Sequence, residues 1–288
     1  MPSSRGWNDQ LVAEAVRIGL LDEADLDRAV MRVLQLVFRY HRKTPEQPLD
    51  FEAHHELARK AASRSAVLLK NEGSALPLPG FGDVVIVGEM ARTPRYQGAG
   101  SSQVNPIHLD NALDALRRRH SDLPFEPGYP LPDSPAAAFP AEELLRRAQE
   151  AAAGRTVLLF LGLPAADESE GYDRQDISLP AEHVDLLCAV RRVADGVIVL
   201  LSNGAAVETA SWQDDADAIM ELWLPGQGGG EAVARLVTGE DSPSGRLAET
   251  IPEKLEQYPA QLNFPGEAGE VRYGEGVFVG YRGLQKLG

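Results

Sequence analysis

The sequence contains a single cysteine, no long apolar run and far fewer basic than acidic side chains. One cysteine, Cys188, excludes an internal disulfide and any zinc site built from cysteines. The longest apolar runs, such as 157–161, are far too short to cross a bilayer, so no membrane-spanning helix is predicted. The opening residues lack the basic, apolar and small-residue succession of a secretory leader, which predicts a cytoplasmic protein.

The excess of acidic residues restricts the classes of partner. With 43 acidic against 28 basic side chains, the formal net charge is −15, which disfavours nucleic acids and anionic membranes as partners. Neutral ligands such as sugars are indifferent to this charge. Cys188 shares helical spacing with the apolar residues Val184 and Leu187. We therefore interpret Cys188 as a buried structural thiol rather than a nucleophile.

The apolar pattern predicts two amphipathic helices in the first forty residues and an α/β domain after them. The second helix carries an apolar stripe that includes Leu26, Val30, Val33 and Val37, and this stripe needs a partner to cover it. The segment 41–50 contains two prolines and is typical of a linker. The two helices are thus expected to belong to something that precedes the main domain.

From position 51 onward, short apolar runs alternate with helical patterns. Continuous runs of valine, isoleucine and leucine are typical of strands buried on both faces of a parallel sheet, with helices as crossovers. The predicted fold class is therefore α/β, a mostly parallel sheet covered by helices on both faces. Ligands of such sheets gather at the carboxyl ends of the strands, so chemistry is expected in the loops there. The predicted strands are 66–69, 84–87, 157–161, 197–201 and 218–224.

The loop after the third of these runs is rich in carboxylates. Crowded carboxylates raise one another's pKa, so one of them is expected to stay protonated near neutral pH, as a general acid requires. Tyr172, in the same loop, offers a ring face or hydroxyl to a sugar. The alternatives are a solvated acidic loop or a calcium site, although the spacing lacks the calcium pattern. The carboxylates are Asp167, Glu168, Glu170, Asp173 and Asp176.

A second loop, 93–106, joins a strand to a helix and contains Gly98 and Gly100. Its backbone amides could cradle a phosphate, but it lacks the third glycine of a dinucleotide fingerprint and the lysine of a P-loop. A nucleotide-binding domain is therefore disfavoured, and Arg95 and Ser101 are candidates for bonding sugar hydroxyls. A third glycine-rich segment, 225–230, is interpreted as a place of close packing rather than ligand contact.

Several stretches, taken together and in order, resemble the carboxy-terminal half of family 3 glycoside hydrolases. The resemblance covers nearly the whole chain, and the opening residues with the two helices look like the end of that family's catalytic barrel. It predicts barrel helices and linker at 1–45, the α/β sandwich at 46–270 and a tail segment at 271–288. The stretches are LARKAA (57–62), AVLLKNEG (66–73), LPL (76–78), ESEGYDR (168–174), PGQGGG (225–230), SGRL (244–247) and YGEGVFVGY (273–281).

The resemblance implies a retaining, β-glucosidase-like mechanism that needs neither a metal nor an organic cofactor. In this family a (β/α)8 barrel supplies an aspartate nucleophile from a Ser-Asp-Trp segment, and the sandwich supplies the acid/base. The glutamate before Gly-Tyr-Asp-Arg has that second role, which falls on Glu170. Ser101 is similar, more loosely, to a family position near the bound sugar, and Arg95 and Tyr172 are further expected sugar contacts. The two carboxyl groups should stand about 5–5.5 Å apart.

One departure from the family pattern changes the expected function of the chain. No Ser-Asp-Trp segment occurs in it. We therefore expect the acid/base half of an enzyme for β-linked glucosides or oligosaccharides, inactive without a barrel supplied in cis or in trans. The alternative is a non-catalytic sugar-binding or interaction module on the same scaffold.

Overall fold

The computed structural model describes residues 5–41 and 48–287. The chain forms two compact units, Met1–Asp50 and Phe51–Gly288. The expected barrel end at 1–4 and most of the expected linker at 41–50 lie outside the described residues. The finer domain boundaries at 45 and 270 stay predictions.

The first unit contains two helices, as the apolar pattern predicts. They are α1, Trp7–Arg17, and α2, Glu23–Tyr40. Asp22 begins the second helix as a cap, because its carboxylate accepts a hydrogen bond from the backbone nitrogen of Ala24 at 2.9 Å. Neither helix has a buried side chain, and Val33 in the apolar stripe is 61% exposed. The origin of these helices in a barrel stays a prediction.

The second unit is built on a six-stranded sheet, and the predicted fold class is confirmed. The strand order is β1-β6-β5-β4-β2-β3, and every neighbouring pair is parallel except β1 with β6. The central strands are buried on both faces, which accounts for their unbroken apolar runs. The strands are β1 Val67–Asn71, β2 Val84–Val87, β3 Phe125–Glu126, β4 Thr156–Gly162, β5 Gly196–Ser202 and β6 Ala218–Glu221.

Helices on the two faces complete the sandwich. Helices α3 and α4 both pack against α7, while α5 packs against α6 and against β2 and β3. A Cβ atom on Gly228, just before α7, would lie 2.5 Å from the backbone nitrogen of Arg59 in α3. Gly228, Gly229 and Gly230 therefore serve close packing, as expected, and Gly228 does so against a helix. The helices of this unit are α3 Phe51–Ser65, α4 Ala112–Arg119, α5 Ala141–Ala152, α6 Ala181–Arg191, α7 Gly229–Thr238 and α8 Tyr281–Leu287.

The structure corrects three details of the prediction. The last strand ends at Glu221 rather than at 224, because Trp223 has a φ of 58° and turns the chain out of the sheet. Strand β3 was not predicted, since two residues carry no periodicity. Cys188 is only partly buried, with its sulfur 3.6 Å from Oδ2 of Asp215, so the interpretation as a fully buried thiol is wrong. No helix within the described ranges is long and apolar enough to span a membrane.

The order of the strands determines where a site can form. From β2 the chain first adds β3 on one side, then crosses to place β4, β5 and β6 on the other. The chain therefore leaves β2 and β4 toward opposite sides of the sheet, and ligands of open α/β sheets bind at such a switch point. The glycine-rich loop follows β2 and the acidic loop follows β4.

Candidate active site

The two predicted loops, which follow β2 and β4, meet through Ser101 and Glu170. The backbone nitrogen of Ser101 donates a hydrogen bond to Oε2 of Glu170 at 2.7 Å, and the Ser101 hydroxyl donates to the same oxygen. Glu170 is otherwise exposed to solvent. The structure thus brings together the expected acid/base and the residue expected beside the sugar, 69 positions apart in sequence.

Gly100 makes this contact possible. Its φ is +83°, in the left-handed region that favours glycine, and a Cβ atom there would lie 2.7 Å from Cβ of Glu170. Any other residue would therefore meet both backbone strain and a clash with the carboxylate side chain. Glycine is the residue that lets the loop approach Glu170 closely enough for the Ser101 hydrogen bonds.

Arg95 holds the glycine-rich loop against the acidic loop. Its side chain is 8% exposed. The guanidinium donates from Nε to the carbonyl of Leu163 at 3.2 Å, from Nη2 to the carbonyl of Glu168 at 3.0 Å, and also to the carbonyl of Gln97. These donors serve the protein itself. The expected contact of Arg95 with a sugar stays untested, and the geometry favours a positioning role.

Glu168 connects the acidic loop to the loop after β5. Its Oε2 accepts a hydrogen bond from the backbone nitrogen of Gly204 at 2.9 Å and lies 3.7 Å from Nη2 of Arg95. A Cβ atom on Gly204 would lie 2.9 Å from Oε1 of Glu168. A second connection is made by Arg174, which donates to the carbonyl of Ala206 at 3.0 Å. The loop that carries Glu170 is thus fixed at both ends.

Tyr172 lies beside an open cavity in the same loop. Its side chain is exposed, and with Asp167, Arg174 and Leu179 it lines a space of about 310 Å³. This volume is at the lower end of the range of small-molecule sites. The predicted role of Tyr172 in sugar binding is untested. Within the described ranges, no group of histidine, cysteine, aspartate and glutamate side chains is arranged to hold a metal ion.

The electrostatics of the acidic loop differ from the prediction. Crowding was expected to raise the pKa of one carboxylate there, but the hydrogen bonds from Ser101 instead lower the pKa of Glu170. Glu168, the nearest acidic neighbour in sequence, is directed toward Arg95 and Gly204. Glu170 is therefore ionised near neutral pH in this structure.

The raised pKa belongs to a residue that the sequence analysis did not single out. Burial raises the pKa of Glu221, at the end of β6, to about 7, although hydrogen bonds from Trp223 and Asn203 oppose the rise. The sequence does contain a clue to Glu221: it is a glutamate within an otherwise apolar strand, where burying an ionised side chain costs free energy.

Comparison with known proteins agrees with this architecture. The sequence model of the Glycosyl hydrolase family 3 C-terminal domain matches residues 66–281. The chain is 42% identical to the thermostable β-glucosidase B of Acetivibrio thermocellus over 98% of its own length and 37% of that protein. It is also 42% identical to an exo-α-(1→6)-L-arabinopyranosidase of Bifidobacterium longum, over 98% of its own length and 38% of that protein.

A solved structure extends the agreement to three dimensions. The family 3 β-glucosidase of Bifidobacterium adolescentis superimposes with a TM-score of 0.89 at 43% identity, over 98% of this chain and 41% of that one. The chain therefore spans well under half the length of each of these relatives. The match to the family model, the identity to these relatives and the superposition agree. The chain belongs to glycoside hydrolase family 3 and contains that family's C-terminal domain.

Proposed function

We propose that this chain supplies the general acid/base of a retaining glycosidase, with Glu170 in that role. The observation that supports the proposal is the position of Glu170 in the loop after β4, where it is solvent-exposed and is held by Ser101 of the loop after the adjacent strand β2. A carboxyl group in such a position can reach a ligand that lies over the sheet edge. The nucleophile is proposed to come from a (β/α)8 barrel in cis or in trans, so the chain alone should not turn substrate over.

The proposed reaction has two steps. First, Glu170 gives its proton to the glycosidic oxygen while the bond from that oxygen to the anomeric carbon breaks and the nucleophile carboxylate bonds to the carbon. Then the oxygen of a water molecule attacks the anomeric carbon, its proton passes to the Glu170 carboxylate, and the ester bond to the nucleophile breaks. Glu170 ends in its starting protonation state.

The lowered pKa of Glu170 suits the second step directly. The first step requires a protonated carboxyl group, and the hydrogen bonds from Ser101 oppose that form. A sugar and a barrel wall placed over the site would exclude water from Glu170, and desolvation raises the pKa of a carboxyl group. We therefore propose that closure of the site provides the protonated form, rather than crowding among the loop carboxylates.

The proposed substrates are β-linked glucosides or oligosaccharides. One relative at 42% identity is named a β-glucosidase and another an exo-α-(1→6)-L-arabinopyranosidase, so the sandwich is compatible with both specificities. Most contacts to the sugar ring are proposed to come from the barrel. Assays should therefore include an aryl β-glucoside and an aryl α-L-arabinopyranoside.

A chimera tests the role of Glu170. This chain would replace the matching segment of the Acetivibrio thermocellus β-glucosidase B, which supplies the barrel. Glu170→Ala is expected to reduce kcat by about 10²–10⁴ on an unactivated substrate, and azide should restore turnover of an activated aryl glycoside. The matched control is Asp167→Asn, in the same loop, which should keep wild-type activity.

Two outcomes would overturn the proposal. If Glu170→Ala is as active as the control, Glu170 has no part in the mechanism. If the folded chimera binds the sugar but does not hydrolyse it, the non-catalytic sugar-binding module becomes the better description.

A further inference from the structure

Among the residues that the structure describes, Glu221 has only neutral hydrogen-bond partners, although its carboxylate is buried. It is the last residue of β6, is 0% exposed, and sits between Leu201 of β5 and Val67 of β1 in the sheet register. Its Oε1 accepts from the backbone nitrogen of Trp223 at 2.7 Å and its Oε2 from Nδ2 of Asn203 at 3.2 Å. A buried carboxylate without a cation is costly, so an advantage must offset its presence.

Asn203, the partner of Glu221, has an unused acceptor. It is 0% exposed, and its Nδ2 donates both to Glu221 and to the carbonyl of Ala205, at 2.9 Å. Its Oδ1 is buried and accepts no hydrogen bond from the part of the chain that the structure describes. A buried acceptor without a donor is rare in folded proteins. In the observed orientation the amide of Asn203 donates to Glu221; turned over, it would accept from Glu221 and would lose its bond to the carbonyl of Ala205.

A continuous series of contacts runs from this pair to the proposed acid/base. Gly204 follows Asn203, and its backbone nitrogen donates to Glu168 at 2.9 Å. Glu168 precedes Glu170 by two residues, and its carbonyl accepts from Arg95. A Cβ atom on Gly204 would contact both Glu168 and Leu224, so the turn fits tightly and a shift of it moves its neighbours.

We propose that Glu221 is a proton-linked positioning residue: on gaining a proton it donates to the free Oδ1 of Asn203, and the turned amide shifts the 203–205 turn that holds Glu168 and the loop of Glu170. This inference rests on the proposed function of Glu170. The step is a simple protonation from solvent, in which a carboxylate acceptor becomes a carboxylic acid donor. In the ionised state Asn203 donates to Glu221, and in the protonated state it accepts.

The surroundings of Glu221 place this change near neutral pH. Burial raises its pKa to about 7; the hydrogen bonds from Trp223, Asn203 and the backbone of Leu222 oppose the rise, and the charge of Glu168 adds to it. Glu168, from the loop after β4, is thus the charged group that faces Glu221 from another element. Burial and the charge of Glu168 raise the pKa of Glu249 as well.

Tryptophan fluorescence of the 288-residue chain tests the switch without any activity. Trp223 is bonded to Glu221 through its backbone nitrogen, so its emission should change with a midpoint near the pKa of about 7 of that residue. Glu221→Gln should abolish the transition, because an amide does not titrate. Trp223→Phe should remove the same signal and serves as the control for Trp7 and Trp212. A transition that persists in Glu221→Gln, or is absent from the wild type, overturns the inference.

Infrared spectra of the wild-type chain keep the test decisive if Glu221→Gln fails to fold. A protonated carboxyl band should disappear between about pH 6 and pH 8, above the range of ordinary glutamates. Absence of such a band from the folded chain overturns the inference as well.

The chimera separates this inference from the proposed function. Glu221→Gln resembles the protonated state, so the pH profile of kcat should lose its inflection near 7 while an active enzyme remains. A merely structural role of Glu221 would lower kcat equally at every pH. A folded wild-type chimera that binds the sugar without hydrolysing it refutes the role of Glu170 but leaves the fluorescence transition intact, whereas an unchanged pH profile in Glu221→Gln refutes the switch alone.

Discussion

Two glutamates in the second unit, Glu221 at the carboxyl edge of the sheet and Glu231 on the helical face, have opposite electrostatic environments. Burial raises the pKa of Glu221 to about 7, because its partners are neutral. Burial would raise the pKa of Glu231 too, but hydrogen bonds from Arg119 and Arg118 lower it to about 2. The two glutamates, on the consecutive elements β6 and α7, thus have pKa values above and below that of an ordinary glutamate.

The difference reflects what each region does. On the helical face, Glu231 of α7 lies 2.8 Å from both Arg118 and Arg119 of α4 and 3.3 Å from Arg235 of its own helix. Arg235 in turn pairs with Glu56 of α3 at 2.7 Å. At the carboxyl edge of the sheet, no described residue pairs a cation with Glu221, and Trp223, two residues further on, has a strained φ of 58°. Strain and poorly compensated charge concentrate at functional sites, where the surrounding fold holds them in place.

Removing the charge of Glu231 should have the largest effect on stability. Glu231→Gln leaves three arginines without their shared carboxylate, and we expect a loss of about 3 kcal/mol in the free energy of unfolding at pH 7. Because the folded pKa lies below the unfolded value, this contribution is present above about pH 4.5 and is lost as the pH falls through about 2. Urea denaturation at both ends of that window measures it.

Glu240 provides the control for this prediction. It pairs with Arg119 at 2.7 Å but is half exposed, so Glu240→Gln should cost less than about 1 kcal/mol. Equal losses in the two variants would remove the distinction between the ion pairs.

As the pH rises, Glu221→Gln should gain free energy of unfolding relative to the wild type, whereas Glu231→Gln should lose it. The folded pKa is above the unfolded value, so the wild-type chain loses stability as the pH rises from about 4.5 through about 7. The variant lacks this loss, and its unfolding free energy relative to the wild type should rise by about 3 kcal/mol across the window. Urea denaturation at several pH values gives the difference, and a constant difference would contradict the assigned pKa.

Gly100→Ala should disturb the site more than stability alone would indicate. The positive φ costs about 1–2 kcal/mol, and the added Cβ would displace Glu170 from Ser101. Gly73→Ala is the matched control, with a φ of +58° and nothing within 4 Å of the added atom. Both variants should lose similar stability, but only Gly100→Ala should reduce turnover in the chimera. Equal activities would show that the contact with Ser101 is dispensable.

Ser101→Ala should have the smallest effect of the four. It removes the hydroxyl donor but keeps the backbone nitrogen, so the pKa of Glu170 should rise without loss of the fold. Carbon NMR titration of the Glu170 carboxyl group measures the shift. Ser102→Ala, whose hydroxyl is directed to the carbonyl of Ala99, should leave that pKa unchanged.

The sequence predicted the sheet wherever periodicity and composition were strong. The strand at 84–87 was placed correctly, and the predicted runs 157–161 and 197–201 lie inside β4 and β5. The antiparallel direction of β1 left no mark in the sequence, because strand direction depends on which neighbour pairs with it. The end of β6 was missed, because Leu222 and Leu224 extend the apolar pattern beyond the backbone turn at Trp223.

The amino-acid sequence by itself determined the family, the fold class and the loop that carries Glu170, since these depend on local runs and motifs. Only the tertiary structure decided that Ser101 and Arg95 bond the protein's own loops, and that Glu221 rather than a loop carboxylate has the raised pKa. The physical reason is that hydrogen-bond partners and burial come from segments distant in the chain. A pKa depends on those neighbours, and they become adjacent only when the sheet forms.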